Sequence, residues 1–178
     1  KEWDEIKNHI PENSVFLDVG CGAGDNLLRA KGQLNCSVRG IDPAPGEQGV
    51  GRYELSGLDG IKIDEGFAEK LPYEDETFDK VFISFGFRNF SDKKGSLKEI
   101  NRVLKKGGSL QILEFSAAQG ENFSKLYDFY SFNFIPKLGD LISGDHDSYD
   151  YLVKSIRTHE NQEEMLELFV QAGYLECT

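Results

Sequence analysis

Cysteine is scarce. Cys21, Cys36 and Cys177 are odd in number and form no CxxC pair, which excludes a disulfide scaffold and fits a reducing compartment. Histidine is equally scarce, and His9, His146 and His159 have no partner at ligand spacing. Asp145-His146-Asp147 reads as a solvated turn, so no metal is expected. No apolar run approaches the ~18 residues of a membrane span, and the first residues do not read as a signal peptide. Basic charge is in deficit: 20 Lys and Arg against 31 Asp and Glu leave a net −11. That balance argues against a nucleic acid partner, which needs clustered cations, and against strong attraction to anionic lipid. Neutral and apolar substrates stay open. There is no internal repeat and no low-complexity tract.

What remains is ordinary globular material, with 39% apolar and 29% charged residues over 178 positions. One domain covering 1–178 is expected, burying roughly 70% of its unfolded surface. Trp3, Ile6 and Ile10 sit at helical spacing before Pro11. Ser14 to Val19 is a short apolar run ending in glycines and reads as the first strand. Asp25 to Ala30 opens a helix, and Ser37 to Asp42 reads as the second strand. Residues 43–60 carry five glycines and read mostly as loop. Ile61 to Asp64 suggests a short third strand. Val81 to Phe85 is apolar throughout except for Ser84, as suits a parallel strand covered on both faces.

Asp92 is placed to cap a helix whose core face is Leu97, Ile100, Val103 and Leu104, ended by Gly107-Gly108. Leu110 to Phe115 is the next strand. Phe123, Leu126, Tyr127, Tyr130 and Phe134 follow helical spacing, and Leu152, Val153 and Ile156 mark another helix. Asn161 with Glu164 resembles a capping box, and Gly173 closes the helix that follows. Alternating strands and helices imply a doubly wound, mostly parallel α/β sheet with right-handed crossovers.

Leu17-Asp18-Val19-Gly20-Cys21-Gly22-Ala23-Gly24 runs from strand into helix, at the carboxyl end where such sheets bind ligands. A dinucleotide fingerprint needs a glycine at 25, but Asp25 stands there. A carboxylate at the helix N-terminus occupies the place a pyrophosphate would take, so the loop suits a ligand without phosphate, such as S-adenosylmethionine. Asp18 is positioned to face that ligand's ammonium. Asp42 ends the second strand and is suited to accept both ribose hydroxyls.

Later segments narrow this further. Ala68-Glu69-Lys70-Leu71-Pro72, Thr77-Phe78-Asp79, Ile83-Ser84-Phe85-Gly86-Phe87-Arg88-Asn89, Arg102 to Gly108, Leu113-Glu114-Phe115, Leu126 to Phe132, Asp147-Ser148-Tyr149 and Tyr151 to Arg157 follow in order. With the glycine loop they make a chain that resembles the ubiquinone/menaquinone biosynthesis C-methyltransferases (the UbiE/Coq5 family) from residue 14 to about 175. The resemblance implies a Rossmann-like class I methyltransferase using S-adenosylmethionine and releasing S-adenosylhomocysteine. It implies cofactor contacts from Gly20, Gly22, Ala23, Gly24, Asp42, Phe67, Ala68 and Ser84. Phe67 departs from the family's usual Asn or Asp. A phenyl ring stacks on adenine but accepts no hydrogen bond from its amine. Family members also extend before Lys1 and add two closing strands after Cys177, so a domain truncated at both ends, lacking the C-terminal strands, is expected.

The acceptor this implies is a lipophilic quinol, and a flat prenylated ring needs an apolar slot with few polar anchors. Among the 13 phenylalanines most are expected in the core. Phe87 and Tyr130 are the ring candidates for the acceptor, with Arg88 and Asn89 as the anchors. Methyl transfer to an aromatic carbon needs a deprotonated ring oxygen. Arg88 would stabilise that oxyanion and Asn89 hold the hydroxyl or a water. A cytoplasmic location is expected, with peripheral contact at the inner face of the membrane and a homodimer left open. A sterol, phenol or amine acceptor, or a non-catalytic module that binds S-adenosylmethionine, stands as the alternative. Asp25 disfavours a nicotinamide dehydrogenase.

Overall fold

A computed structural model describes residues 2–43, 61–115 and 146–177. The chain divides into two compact units, Lys1–Glu114 with Leu168–Thr178, and Phe115–Glu167. The first unit is built on five parallel strands in the order β3-β2-β1-β4-β5. They are β1 (Val15–Val19), β2 (Ser37–Asp42), β3 (Ile63–Glu65), β4 (Phe78–Ser84) and β5 (Leu104–Leu113). The strand order reverses at β1. β2 and β3 lie to one side of it and β4 and β5 to the other, which opens a crevice at the carboxyl ends of β1 and β4.

Both central strands are buried on both faces, as their apolar runs require. Phe16, Leu17, Phe78, Val81, Phe82 and Ile83 are fully buried. On one side they meet α1 (Glu2–Ile6) and α2 (Asp25–Leu34) in a cluster containing Trp3, Ile6, Ile10, Phe16, Leu27, Ala30, Cys36, Val38 and Phe82. The Trp3 indole keeps a partner there, donating to Gln33 Oε1 at 2.8 Å. α3 (Lys93–Val103) buries Leu97, Ile100 and Val103. Its cap is Asp92, whose carboxylate accepts from the Gly95 N–H at 2.9 Å. Asp79 ties the two central strands at their base, accepting the Val15 N–H at 2.8 Å and the Lys105 ammonium at 2.9 Å.

Several element boundaries differ from the sequence expectation. α3 ends at Val103, so Leu104 opens β5 instead of closing the helix, and Gly107-Gly108 lies inside the strand. The register against β4 jumps from Phe78↔Leu104 to Lys80↔Ser109, a bulge that absorbs the glycine pair. Gly108 is needed for close approach, since a Cβ there would lie 2.9 Å from the Lys105 carbonyl and 3.1 Å from those of Phe78 and Asp79. β4 and β5 also stop short of Phe85 and Phe115, and Phe85 turns to φ 55.

The second unit contains α4 (His146–Arg157) and the start of α5 (Gln162–Gln171), the helix that continues into the first unit. The expected capping box forms. Asn161 Oδ1 accepts the Glu163 and Glu164 N–H groups, and Glu164 Oε2 accepts the Asn161 N–H at 2.9 Å. Within the first unit the end of α5 docks on α3, with Asn101 Nδ2 donating to the Ala172 carbonyl and the Tyr174 hydroxyl to that of Leu97, each at 3.0 Å. The expected loop over 43–60 lies outside the described residues apart from Pro43, and so does the expected helix from Phe123 to Phe134. Among the described residues no helix is long and apolar enough to cross a membrane.

Candidate cofactor and acceptor site

The glycine loop leaves β1 with positive φ at Gly20 (74), Gly22 (50) and Gly24 (75). These are left-handed conformations that a side chain resists. The loop is held from β2. The Gly20 N–H donates to the Ile41 carbonyl at 2.8 Å, and the Gly22 N–H donates to Asp42 Oδ2 at 2.8 Å. Asp42 therefore fixes the loop's shape. We expect Asp42→Ala to weaken S-adenosylmethionine binding by about 1–3 kcal/mol, the cost of an unmade hydrogen bond. Calorimetric titration checks this, and unchanged affinity in a folded variant would remove Asp42 from the site.

Asp18 is the unusual group. It is 1% exposed, and its Oδ1 has no hydrogen-bond partner. Desolvation pushes its carboxyl up to about 7; a hydrogen bond from Asn26 opposes the rise, and the charge of Asp42 adds to it. A buried acceptor left in that state is costly. It is what a cationic donor arriving with a ligand would relieve.

Two clefts flank the loop and share Gly20 and Ser84. One, of about 320 Å³, holds Asp18, Ala23, Asp25, Asn26 and Arg29. The other, of about 290 Å³, is walled by Asp42, Phe67, Ala68, Glu69, Phe85, Asn89 and Phe90. The expected cofactor residues divide between the clefts: Asp18, Gly22 and Ala23 line the first, Asp42, Phe67 and Ala68 the second, Gly20 and Ser84 both, and Gly24 neither. Phe67 is 63% exposed at its edge, available for a flat ring to stack on.

The acceptor residues sort differently. Asn89 faces the second cleft. Phe87, expected against the acceptor, is fully buried instead, because the 3₁₀ turn Phe87–Asn89 carries its ring inward against Phe90. Arg88 is absent from the cleft lining. Its guanidinium bonds the Phe85 carbonyl and pairs with Glu114 at 2.8 Å, with side chains only 9% and 6% exposed. Tyr130 lies outside the described residues.

Three residues escaped the sequence reading as site residues: Asn26 on Asp18, Glu114 on Arg88, and Glu69. The Glu69 carboxylate accepts the Ser91 and Asp92 N–H groups at 3.1 and 3.2 Å, closing the second cleft. Glu69 and Glu114 have no spacing signal, since their partners are distant in the chain; Asn26 stands close to Asp18, on the first turn of α2.

Solved structures share the fold. YcgJ from Bacillus subtilis aligns with a TM-score of 0.70 at 22% identity, covering 96% of this chain and 66% of that one. A methyltransferase-like protein from Bacillus halodurans gives 0.69 at 22%, covering 96% and 67%. Phosphoethanolamine N-methyltransferase 2 of Haemonchus contortus, solved with S-adenosyl-L-methionine, gives 0.70 at 19%, covering 94% and 34%. Sequence relatives are nearer. A protein from Stenotrophomonas maltophilia named ubiquinone/menaquinone biosynthesis C-methyltransferase is 43% identical over 169 residues, 90% of this chain and 66% of the relative. One of the same name from a Shewanella strain is 41% identical over 179 residues, 96% and 69%. The chain thus spans about two thirds of the length of the curated relatives it matches. The model of the ubiE/COQ5 methyltransferase family matches residues 3–178, which contain the glycine loop, Asp42 and the Ser84–Asn89 turn. This chain belongs to the ubiE/COQ5 methyltransferase family.

Proposed function

We propose that this chain carries the C-methyltransferase site for a prenylated benzoquinol or naphthoquinol, with S-adenosylmethionine as donor. The observation that carries the donor assignment is Asp18: a buried carboxylate with an unpartnered oxygen beside a glycine loop that offers no phosphate site. Asp18 receives a cationic amine, Asp42 receives hydroxyls, and Phe67 and Ala68 bound the adenine. The bound cofactor supplies an electrophilic methyl group.

The protein's own share is positioning and exclusion of water. Phe85 and Phe90 offer the second cleft an apolar wall for a flat ring, and Asn89 anchors a ring hydroxyl at its edge. Arg88, held by Glu114, contributes by fixing the turn that carries Asn89. A ring hydroxyl that gives up its proton to water raises electron density on the adjacent carbon, which would accept the methyl group as the methyl–sulfur bond breaks and S-adenosylhomocysteine leaves. The ring proton at that carbon leaves to restore aromaticity. A prenylated acceptor dissolves in lipid, so the whole enzyme would meet it at a membrane surface.

The test is transfer of an isotopically labelled methyl group from S-adenosylmethionine to demethylated quinols by the full-length protein, followed by mass spectrometry. A quinol heavier by one labelled methyl group on a ring carbon is expected. Transfer only to a sterol, phenol or amine would overturn the acceptor class. Binding of the cofactor without transfer to any acceptor would overturn the catalytic assignment.

A further inference from the structure

We propose that Glu114 is the positioning residue for the acceptor side of the cleft, acting through Arg88 on the Ser84–Phe90 turn; this rests on the quinol reading above. Glu114 follows the last residue of β5, where Ser84 pairs with Leu113. Past that pair β4 must turn sharply, and Phe85 does so at φ 55, a conformation unfavourable for an aromatic side chain. Such backbone persists only where its surroundings hold it. A linked set of hydrogen bonds holds it here. The Phe85 N–H donates to the Leu113 carbonyl at 2.9 Å. The Arg88 guanidinium donates to the Phe85 carbonyl. Glu114 then grips Arg88 twice, its Oε1 taking the guanidinium at 2.8 Å and its Oε2 taking the Arg88 backbone N–H at 3.2 Å.

One carboxylate therefore fixes both the side chain and the main chain of Arg88, and through them the carbonyl of the strained residue. The pair lies behind the cleft, with Glu114 only 6% exposed. Phe85, Asn89 and Phe90, on the held turn, form the acceptor wall. Glu114 does not itself line the cleft. It sets where Asn89 and the two rings stand.

Glu114→Gln in the full-length protein is the test, because glutamine keeps the shape and one acceptor while losing the charge and the second acceptor. We expect the single-turnover methylation rate to fall about tenfold or more through misplacement of the acceptor, with the S-adenosylmethionine dissociation constant within about twofold of the parent. In an Arg88→Ala background the same change should cost the rate less than about twofold, since residues acting as one unit are not additive. Hydrogen exchange of amides 85–89 should accelerate while β1 and α2 keep their protection. Additive rate losses, equal losses in rate and cofactor affinity, or a variant that does not fold would each overturn positioning in favour of a general structural role. If the parent methylates no quinol, the exchange measurement still decides. Acceleration confined to 85–89 keeps the positioning role and drops the acceptor reading, and unchanged exchange overturns the role itself.

Discussion

Arg88→Ala is expected to lower the unfolding free energy by about 3–5 kcal/mol, the cost of stranding one partner of a buried ion pair. The group that loses its ion partner is Glu114, whose side chain is 6% exposed, whose Oε1 lies 2.8 Å from the guanidinium, and whose Oε2 keeps the main-chain N–H of residue 88. Denaturant unfolding of the parent and the variant reads this directly. Arg88→Lys should recover only part of the loss, because the shorter lysine side chain ends one bond short of Nη1, the atom that meets both Glu114 and the Phe85 carbonyl. Replacing both partners, as Arg88→Met with Glu114→Leu, should cost less than Arg88→Ala alone, because no uncompensated charge stays buried. Turnover should fall on the order of 100-fold in Arg88→Ala, the effect of moving an acceptor wall by about an ångström. A stability loss under about 1 kcal/mol would mean that the pair behaves like a solvated surface bridge, and its role as the frame of the turn would be abandoned.

S-adenosylmethionine affinity is expected to fall about tenfold for each pH unit below the Asp18 titration, whose midpoint in the ligand-free protein is about 7. The cationic amine of the ligand prefers the ionised carboxylate. Below that midpoint Asp18 holds a proton that binding must release. Titrations in buffers of differing ionisation enthalpy should show close to one proton leaving in acid and none well above pH 7. Ligand-free stability follows the opposite course. An aspartate raised from an ordinary 3.8 to about 7 contributes stability in full below 3.8. That contribution is lost as pH rises through the folded value, at up to about 1.4 kcal/mol per unit. Asp18→Asn should abolish both dependences and bind weakly at every pH. No proton release in acid would mean that Asp18 does not face the charged end of the ligand.

Much of the frame was legible because it is local. The glycine loop, the apolar runs of β1 and β4, the Asp92 cap and the Asn161-Glu164 box are decided within a few residues, and each formed as expected. The errors arose where distant strands meet. Gly107-Gly108 looked like a helix stop, but β4 lies so close that its carbonyls leave no room for a side chain, and a bulged strand forms instead. Arg88 reads along the chain as an anchor for the acceptor's oxyanion, while in the fold its charge is met by Glu114, just past the end of β5.

By itself the sequence determined a parallel α/β sheet and a glycine loop after its first strand. It also placed carboxylates at 18 and 42, because periodicity, glycine placement and strand ends are written along the chain. Only the tertiary structure decided what those carboxylates experience. Asp18 titrates near neutrality because sheet and helix exclude water from it. Arg88 became part of a frame because the register of β4 against β5 sets Glu114 beside it. Burial and partnership are properties of neighbours brought together by folding, and sequence separation carries no measure of either.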